Sequence, residues 1–354
     1  MAILTSPLFK GKFQKAMSFS GGQTISDPAW SRQIHTASFA KLAVTEGKAK
    51  NEVEAEKWLN SNSPEVKAWL YNLPGEKIVK QMSGAKIRMR VFPHLFADGT
   101  VLPKRGMAVY DNLQTAKEVS DVPILMIADA TEFKFYCATD PFFKKSVEDK
   151  SVITDPEKHA QYQYASDYGS RFFAHANTQN SVERISQHLS SPIFAAIFQW
   201  GSNPEVVGEE MAFIHGSKHG IHMDFIFEGK AFDLQKKYPE AYKNDGVKSL
   251  SNLIQSYIGN FLHTGNPNGV GLVEWTPWNK KQNSTYLFLD ADKSKANAKM
   301  TSYSLDVAKT FKEMRQDSSI SEESKNALLH KVLDGRFFSY KIDKEFNNPD
   351  HIMP

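Results

Sequence analysis

One cysteine, Cys137, in a chain of 354 residues leaves no partner for an intrachain disulfide and no set of thiolates for a metal. It follows the aromatic run Phe133, Phe135 and Tyr136, a setting that suits a buried structural thiol. No apolar stretch approaches the ~20 residues of a membrane-spanning helix. Neither sign of charge dominates: 43 Lys and Arg stand against 40 Asp and Glu, a net of +3. A nucleic-acid-binding domain gathers its basic residues on one face. Here even Lys236 to Lys248 is interleaved with Glu, Asp and Tyr, the pattern of a solvated surface, so no nucleic-acid partner is expected. Internal repeats and low-complexity linkers are absent too. What is present, 41% hydrophobic and 12% aromatic residues, is enough for a sizeable core.

Three short apolar runs, Lys15 to Phe19, Val122 to Ile127 and Ile193 to Trp200, are continuous rather than alternating, which suits parallel strands covered on both faces. Helical patterns separate them. Asp27-Pro28-Ala29 supplies an N-cap and a first-turn proline for a helix carrying Trp30, Ile34, Phe39, Leu42 and Val44. Ser63-Pro64-Glu65 opens another, with Val66, Trp69, Leu70 and Leu73. The segment 247–263 has one apolar stripe, Leu250, Leu253, Ile254, Tyr257, Ile258, Phe261 and Leu262, and stops at Thr264-Gly265-Asn266-Pro267. Strands alternating with helices predict an α/β architecture. Residues 51–105 differ: short helices, then Arg88 to Phe92 and Ala97 to Pro103, read as a hairpin-like excursion that caps the sheet edge. From Ser318 onward the chain reads as a polar helix and loop, peripheral to the core.

Two side chains stand where α/β proteins do chemistry. Glu132 follows the run Val122 to Ile127 by the turn Ala128-Asp129-Ala130-Thr131, and functional groups cluster beyond the carboxyl ends of such strands. A carboxylate there can accept the Nδ1–H of a histidine; a surface acid favoured by a helix N-terminus is the plainer alternative. His219 lies in Gly216-Ser217-Lys218-His219-Gly220, where flanking glycines permit tight backbone turns and an imidazole can alternate as base and acid near neutral pH. Acid before histidine is the order of the α/β-hydrolase triad. A rival reading takes His215, His219, His222 and Asp224 as zinc ligands, against which Gly216 and Gly220 disfavour the helix that the spacing needs.

Five blocks, in order, resemble the type-B carboxylesterase (cholinesterase-like) family. They are Leu4-Thr5-Ser6-Pro7 through Gly22, Val122-Pro123 to Glu132, and Gly216-x-x-His219-Gly220 with Met223 to Phe227. Two more follow, Gln255 to Gly269, then Trp275-Thr276-Pro277-Trp278 with Tyr286 to Asp290. The resemblance implies an α/β-hydrolase fold, of which residues 1–335 form the C-terminal portion of the mostly parallel sheet with early strands missing, and 336–354 a peripheral tail. It implies a serine esterase acting on small-molecule esters, with Glu132 as triad acid, His219 as general base, Ser20 in a supporting hydrogen bond, and no metal or cofactor.

The chain departs from that family in three places. The family has Asp-Glu-Gly at the acid, where this chain reads Thr131-Glu132-Phe133. It carries Glu after the histidine, where this chain has His222. No Gly-x-Ser-x-Gly elbow occurs, so neither the nucleophile nor its oxyanion donors are found here. The expectation is a C-terminal fragment, inactive alone, that a complementing N-terminal esterase segment would restore; an inactive cholinesterase-like binding module or a truncated gene product is the alternative.

Overall fold

The computed structural model describes residues 1–22, 25–82, 95–228, 233–279, 285–334 and 345. Arg88 to Phe92, two residues of the sequon Asn283-Ser284-Thr285 and nearly all of 336–354 lie outside the described residues.

Five strands form one sheet in chain order: β1 (Ala16–Phe19), β2 (Ile124–Asp129), β3 (Ile193–Phe198), β4 (Thr285–Ala291) and β5 (Ala296–Ser302). The first three pairings are parallel, with Ala16 opposite Ile124 and Ile124 opposite Ile193. The last is an antiparallel hairpin. The three predicted runs are thus β1 to β3, and β2 continues two residues further, through Asp129. β4 and β5 were not anticipated as strands. β5 is polar and only half-buried, so it lacks the apolar run by which β1 to β3 announce themselves.

Every residue of β2 and β3 is buried, because a layer covers each face. Leu125, Ile127, Phe194, Ala196 and Phe198 meet Leu250, Ile254, Tyr257 and Phe261 of the helix Asp245–Thr264. The alternate residues Ile124, Met126, Ala128, Ala195 and Ile197 meet Val109, Tyr110, Val182 and Ile185 on the other side. Helix ends follow the sequence signals. Asp27 accepts from the Trp30 N–H at 2.7 Å, Ser63 from Val66 at 3.3 Å, and Gly265 closes the 245–264 helix at φ 81°.

Two further clusters flank the sheet. The helices Pro28–Thr45, Glu52–Asn60, Pro64–Asn72 and Gly75–Met82 share a small core of Ala40, Ala43, Ala55, Leu59, Val66 and Trp69. The long helix Pro156–Ala174 anchors the other, where Phe133, Cys137, Tyr162, Phe172 and Phe173 pack with Met314, Leu328 and Val332. The last two residues correct the reading of everything beyond Ser318 as peripheral. The helix Glu322–Lys331 is polar in composition but inserts Leu328 and Leu329 into the core.

Among the described residues nothing pairs with the outer edge of β1. The N–H groups of Ala16 and Ser20 bond Pro123 and Ile127, so alternation turns those of Met17 and Phe19 outward. Ile3, Leu8, Phe9 and Met17 are exposed, and Ile3, Phe9 and Met17 line a groove of about 490 Å³ along this edge. An open strand edge beside apolar surface templates association. In sedimentation experiments the chain should self-associate with concentration, and Met17→Lys should shift it towards monomer. A concentration-independent monomer would show that the edge is not the sticky surface described.

Candidate active site

The site forms where β2 and β3 end. Beyond β2 the chain keeps to its neighbours for two residues: Ala130 N–H bonds the Phe198 carbonyl at 2.9 Å, and Thr131 N–H bonds the Ser217 carbonyl at 3.0 Å. That run delivers Glu132 into the interior, fully buried. Beyond β3, Ser217 Oγ donates to the Phe198 carbonyl at 2.6 Å, tying the histidine loop to the same strand end. Gly216 and Gly220 take φ values of 51° and 82°, the left-handed backbone for which glycine carries little penalty.

These two loops bring Glu132 and His219 together. Glu132 Oε2 lies 2.5 Å from His219 Nδ1, Oε1 accepts the Asp129 N–H at 2.9 Å, and the Glu132 carbonyl accepts the His219 N–H at 3.3 Å. With Nδ1 as donor, the carboxylate accepts the ring hydrogen and Nε2 is left as the basic nitrogen. The ring packs against Phe135, Tyr136 and Phe173 at centroid distances of 5.9, 5.7 and 5.5 Å. About a third of its surface is exposed, and Nε2 makes no hydrogen bond among the described residues. Burial opposes charging the ring, but the hydrogen bond and charge of Glu132, helped by Asp129, outweigh it and raise the pKa above the ordinary imidazole value. A fixed Nδ1–H and an open Nε2 are what proton transfer at Nε2 requires.

The ring that follows the acid, Phe133, stands where a resembling sequence has glycine, and the fold makes room for it elsewhere. Phe133 is fully buried, its N–H bonds Ser170 Oγ at 3.1 Å, and its ring packs directly against Gly169 of the 156–174 helix. A Cβ at Gly169 would lie only 2.2 Å from Cδ1 of the ring, an impossible approach.

The zinc arrangement does not assemble. His215 packs edge-on against Tyr238, and burial, reinforced by Lys218, Lys237 and Lys134, pushes its pKa down to about 3. Asp224 accepts from Tyr242 OH at 2.9 Å, while His222 turns to Asp129. Among the described residues no group of three or more His, Cys, Asp or Glu could hold a metal ion. Ser20 follows β1 with φ 51°, and its buried hydroxyl has no hydrogen-bond partner among the described residues. Ser18 Oγ donates to the Gly21 carbonyl at 3.0 Å.

Sequence reasoning missed Asp129 as a functional group and took His222 only as a metal candidate and a departure. Both Asp129 oxygens lie 2.9 Å from His222 Nδ1, and Oδ2 accepts the Gly220 N–H at 2.7 Å. The signal was present as matched spacing: Asp129-x-x-Glu132 on one loop and His219-x-x-His222 on the other.

Two measurements check this geometry. Followed by NMR, His219 should titrate above the ordinary value of 6.5, and Glu132→Gln should lower its midpoint by removing the partner that offsets burial. Because the folded pKa is the higher one, protonated His219 adds stability that is complete below about pH 6.5 and fades as pH rises through the raised midpoint. Gly169→Ala should cost about 1–3 kcal/mol in denaturant unfolding, from overpacking against Phe133; an unchanged midpoint would mean that the ring has other space.

Against known proteins, a family model described as the carboxylesterase family matches residues 144–308, a span that contains His219 but not Glu132. No curated protein matches the chain. Among solved structures, a PNB esterase shares 18% identity over 89% of this chain and 59% of its own, with a TM-score of 0.50. A thermophilic PNB esterase shares 19% over 84% and 57%, also at 0.50. The carboxylesterase EST55 of Geobacillus stearothermophilus shares 14% over 89% and 60%, with a TM-score of 0.54. The chain thus spans less than two thirds of the length of these esterases, and at such identities the likeness is one of fold. Residues 144–308 thus match the carboxylesterase family, and the mostly parallel, helix-flanked sheet gives the chain the α/β-hydrolase fold.

Proposed function

We propose that this chain contributes the acid and the histidine of a serine carboxylesterase, and that a complementing N-terminal esterase segment contributes the serine. The observation that carries the reading is the buried Glu132–His219 pair, 2.5 Å apart at neighbouring strand ends, with Nε2 left open. In the reaction a serine Oγ forms a bond to the ester carbonyl carbon while Nε2 takes its proton. Nε2 then passes that proton to the departing alkoxide as the carbon–oxygen bond of the ester breaks. Water repeats the sequence on the acyl-serine, releasing the carboxylic acid. Glu132 keeps Nδ1 protonated and balances the imidazolium charge.

The serine is assigned elsewhere because the 354 residues contain no Gly-x-Ser-x-Gly, and because neither Ser18 nor Ser20 hydrogen-bonds His219. Backbone donors for the oxyanion, often the largest catalytic contribution, belong to the same missing machinery. The open edge of β1 and its apolar groove offer the surface on which such a segment would continue the sheet.

In an aryl-ester assay the chain alone should hydrolyse substrate no faster than its His219→Ala variant. Adding an esterase segment that carries a nucleophile elbow should produce turnover. In that complemented enzyme, His219→Ala and Glu132→Gln should each lower kcat by a factor on the order of 10⁴. Robust turnover by the chain alone, with a phosphonate probe labelling Ser18 or Ser20, would overturn the proposal.

A further inference from the structure

Beside the Glu132–His219 pair lies a second carboxylate–histidine pair, Asp129–His222, that the reaction above does not use. It is more deeply placed: both side chains are buried, with 0% and 1% exposure. Asp129 touches Glu132 and the residue beside His219. Its backbone N–H donates to Glu132 Oε1, and its side chain accepts the N–H of Gly220, the residue next to His219. His222 saturates the remaining carboxylate valence through Nδ1, and Phe19 of β1 and Phe198 of β3 pack on its ring at 5.2 and 6.3 Å. The connections are crossed: the first acid of one loop meets the second histidine of the other, and the second acid meets the first histidine.

We propose that Asp129 and His222 are positioning residues for His219, clamping the acid loop to the histidine loop and keeping a second negative charge beneath the catalytic imidazole. The inference rests on the reading of His219 as the general base, and deepens it. A buried carboxylate keeps its charge only while donors compensate for lost water. Asp129 has two side-chain donors, Gly220 N–H and His222 Nδ1–H. Burial leaves its pKa raised above the ordinary carboxylate value, with His222 and the Gly220 N–H pulling against that rise, so removing His222 pushes Asp129 further towards protonation. His219 would then lose the Asp129 charge. The charged groups facing His219 are Glu132, Asp129 and, opposing them, Lys218, whose ammonium lies over the Phe135 ring at 5.2 Å. Glu132 also faces Asp129, as a like charge. The neighbouring rings are Phe135, Tyr136 and Phe173.

The test is the His219 titration in the intact chain, with the resonance identified by its loss in His219→Gln. Asp129→Asn, which keeps the shape and removes the charge, should lower the midpoint. So should His222→Leu, whereas His222→Gln, which retains an N–H donor, should return it towards the original value. A purely structural pair would lower the melting temperature and leave the midpoint in place; an unchanged midpoint in Asp129→Asn and His222→Leu therefore overturns the inference. Should His222→Leu fail to fold, the near-isosteric Asp129→Asn decides alone. Glu132→Gln separates the two ideas. If it leaves His219 unmoved, the Glu132–His219 reading fails. If it lowers the midpoint while the Asp129 and His222 variants do not, only the positioning role fails.

Discussion

A carboxylate with no access to water has to find donors for both oxygens, and the buried Glu132 organises this end of the molecule around that requirement. One oxygen takes the Asp129 N–H and the other takes His219 Nδ1. Leaving either position empty would strand charge in a low-dielectric interior, at a cost of roughly 3–5 kcal/mol. The need explains why two loops separated by some ninety residues of sequence meet so closely. It also explains why Asp129 and His222 accompany the first pair, since a second buried carboxylate is tolerable only with its own donors.

The sheet makes this meeting possible. β2 and β3 run parallel and in register, Ile124 to Asp129 against Ile193 to Phe198, so their carboxyl ends open side by side and the loops leaving them meet. The register is held by burial on both faces, because a slip of one residue would exchange the sets of side chains facing the two helical layers. Rigid strands thus supply position, and the glycine-bearing loop of Gly216 to Gly220 supplies the turn that aims the ring. The cost of an unusual ring after the acid is met by subtraction: the 156–174 helix places Gly169, with no side chain, beneath Phe133.

Some of this was legible beforehand, for reasons that can be named. β2 and β3 were readable because a strand covered on both faces must be apolar throughout, β1 because its short run is mostly apolar, and the 245–264 helix because its stripe repeats with the helical period. Glu132 and His219 were readable through their order and local motifs. β5 was not, and the 322–331 helix was legible as a polar helix but not as part of the core. The first is a half-solvated edge strand, and the second contributes only Leu328 and Leu329 to the core from an otherwise polar sequence. The zinc reading of His215, His219, His222 and Asp224 failed because spacing along a chain says nothing about direction once glycines bend it. Those four side chains turn to Tyr238, Glu132, Asp129 and Tyr242.

Residue types and their local periods determined, by sequence alone, that this chain builds α/β layers and places an acid and a histidine beyond strand ends. Those are properties of short segments, set by covalent order and by which faces must leave water. Only the tertiary structure decided which carboxylate meets which imidazole, and that among the described residues neither Ser20 Oγ nor Nε2 of His219 has a hydrogen-bond partner. Such pairings depend on where separate segments stop in space. They are fixed by parallel register and by the demand that each buried charge find a donor, and neither is written in any one stretch of sequence.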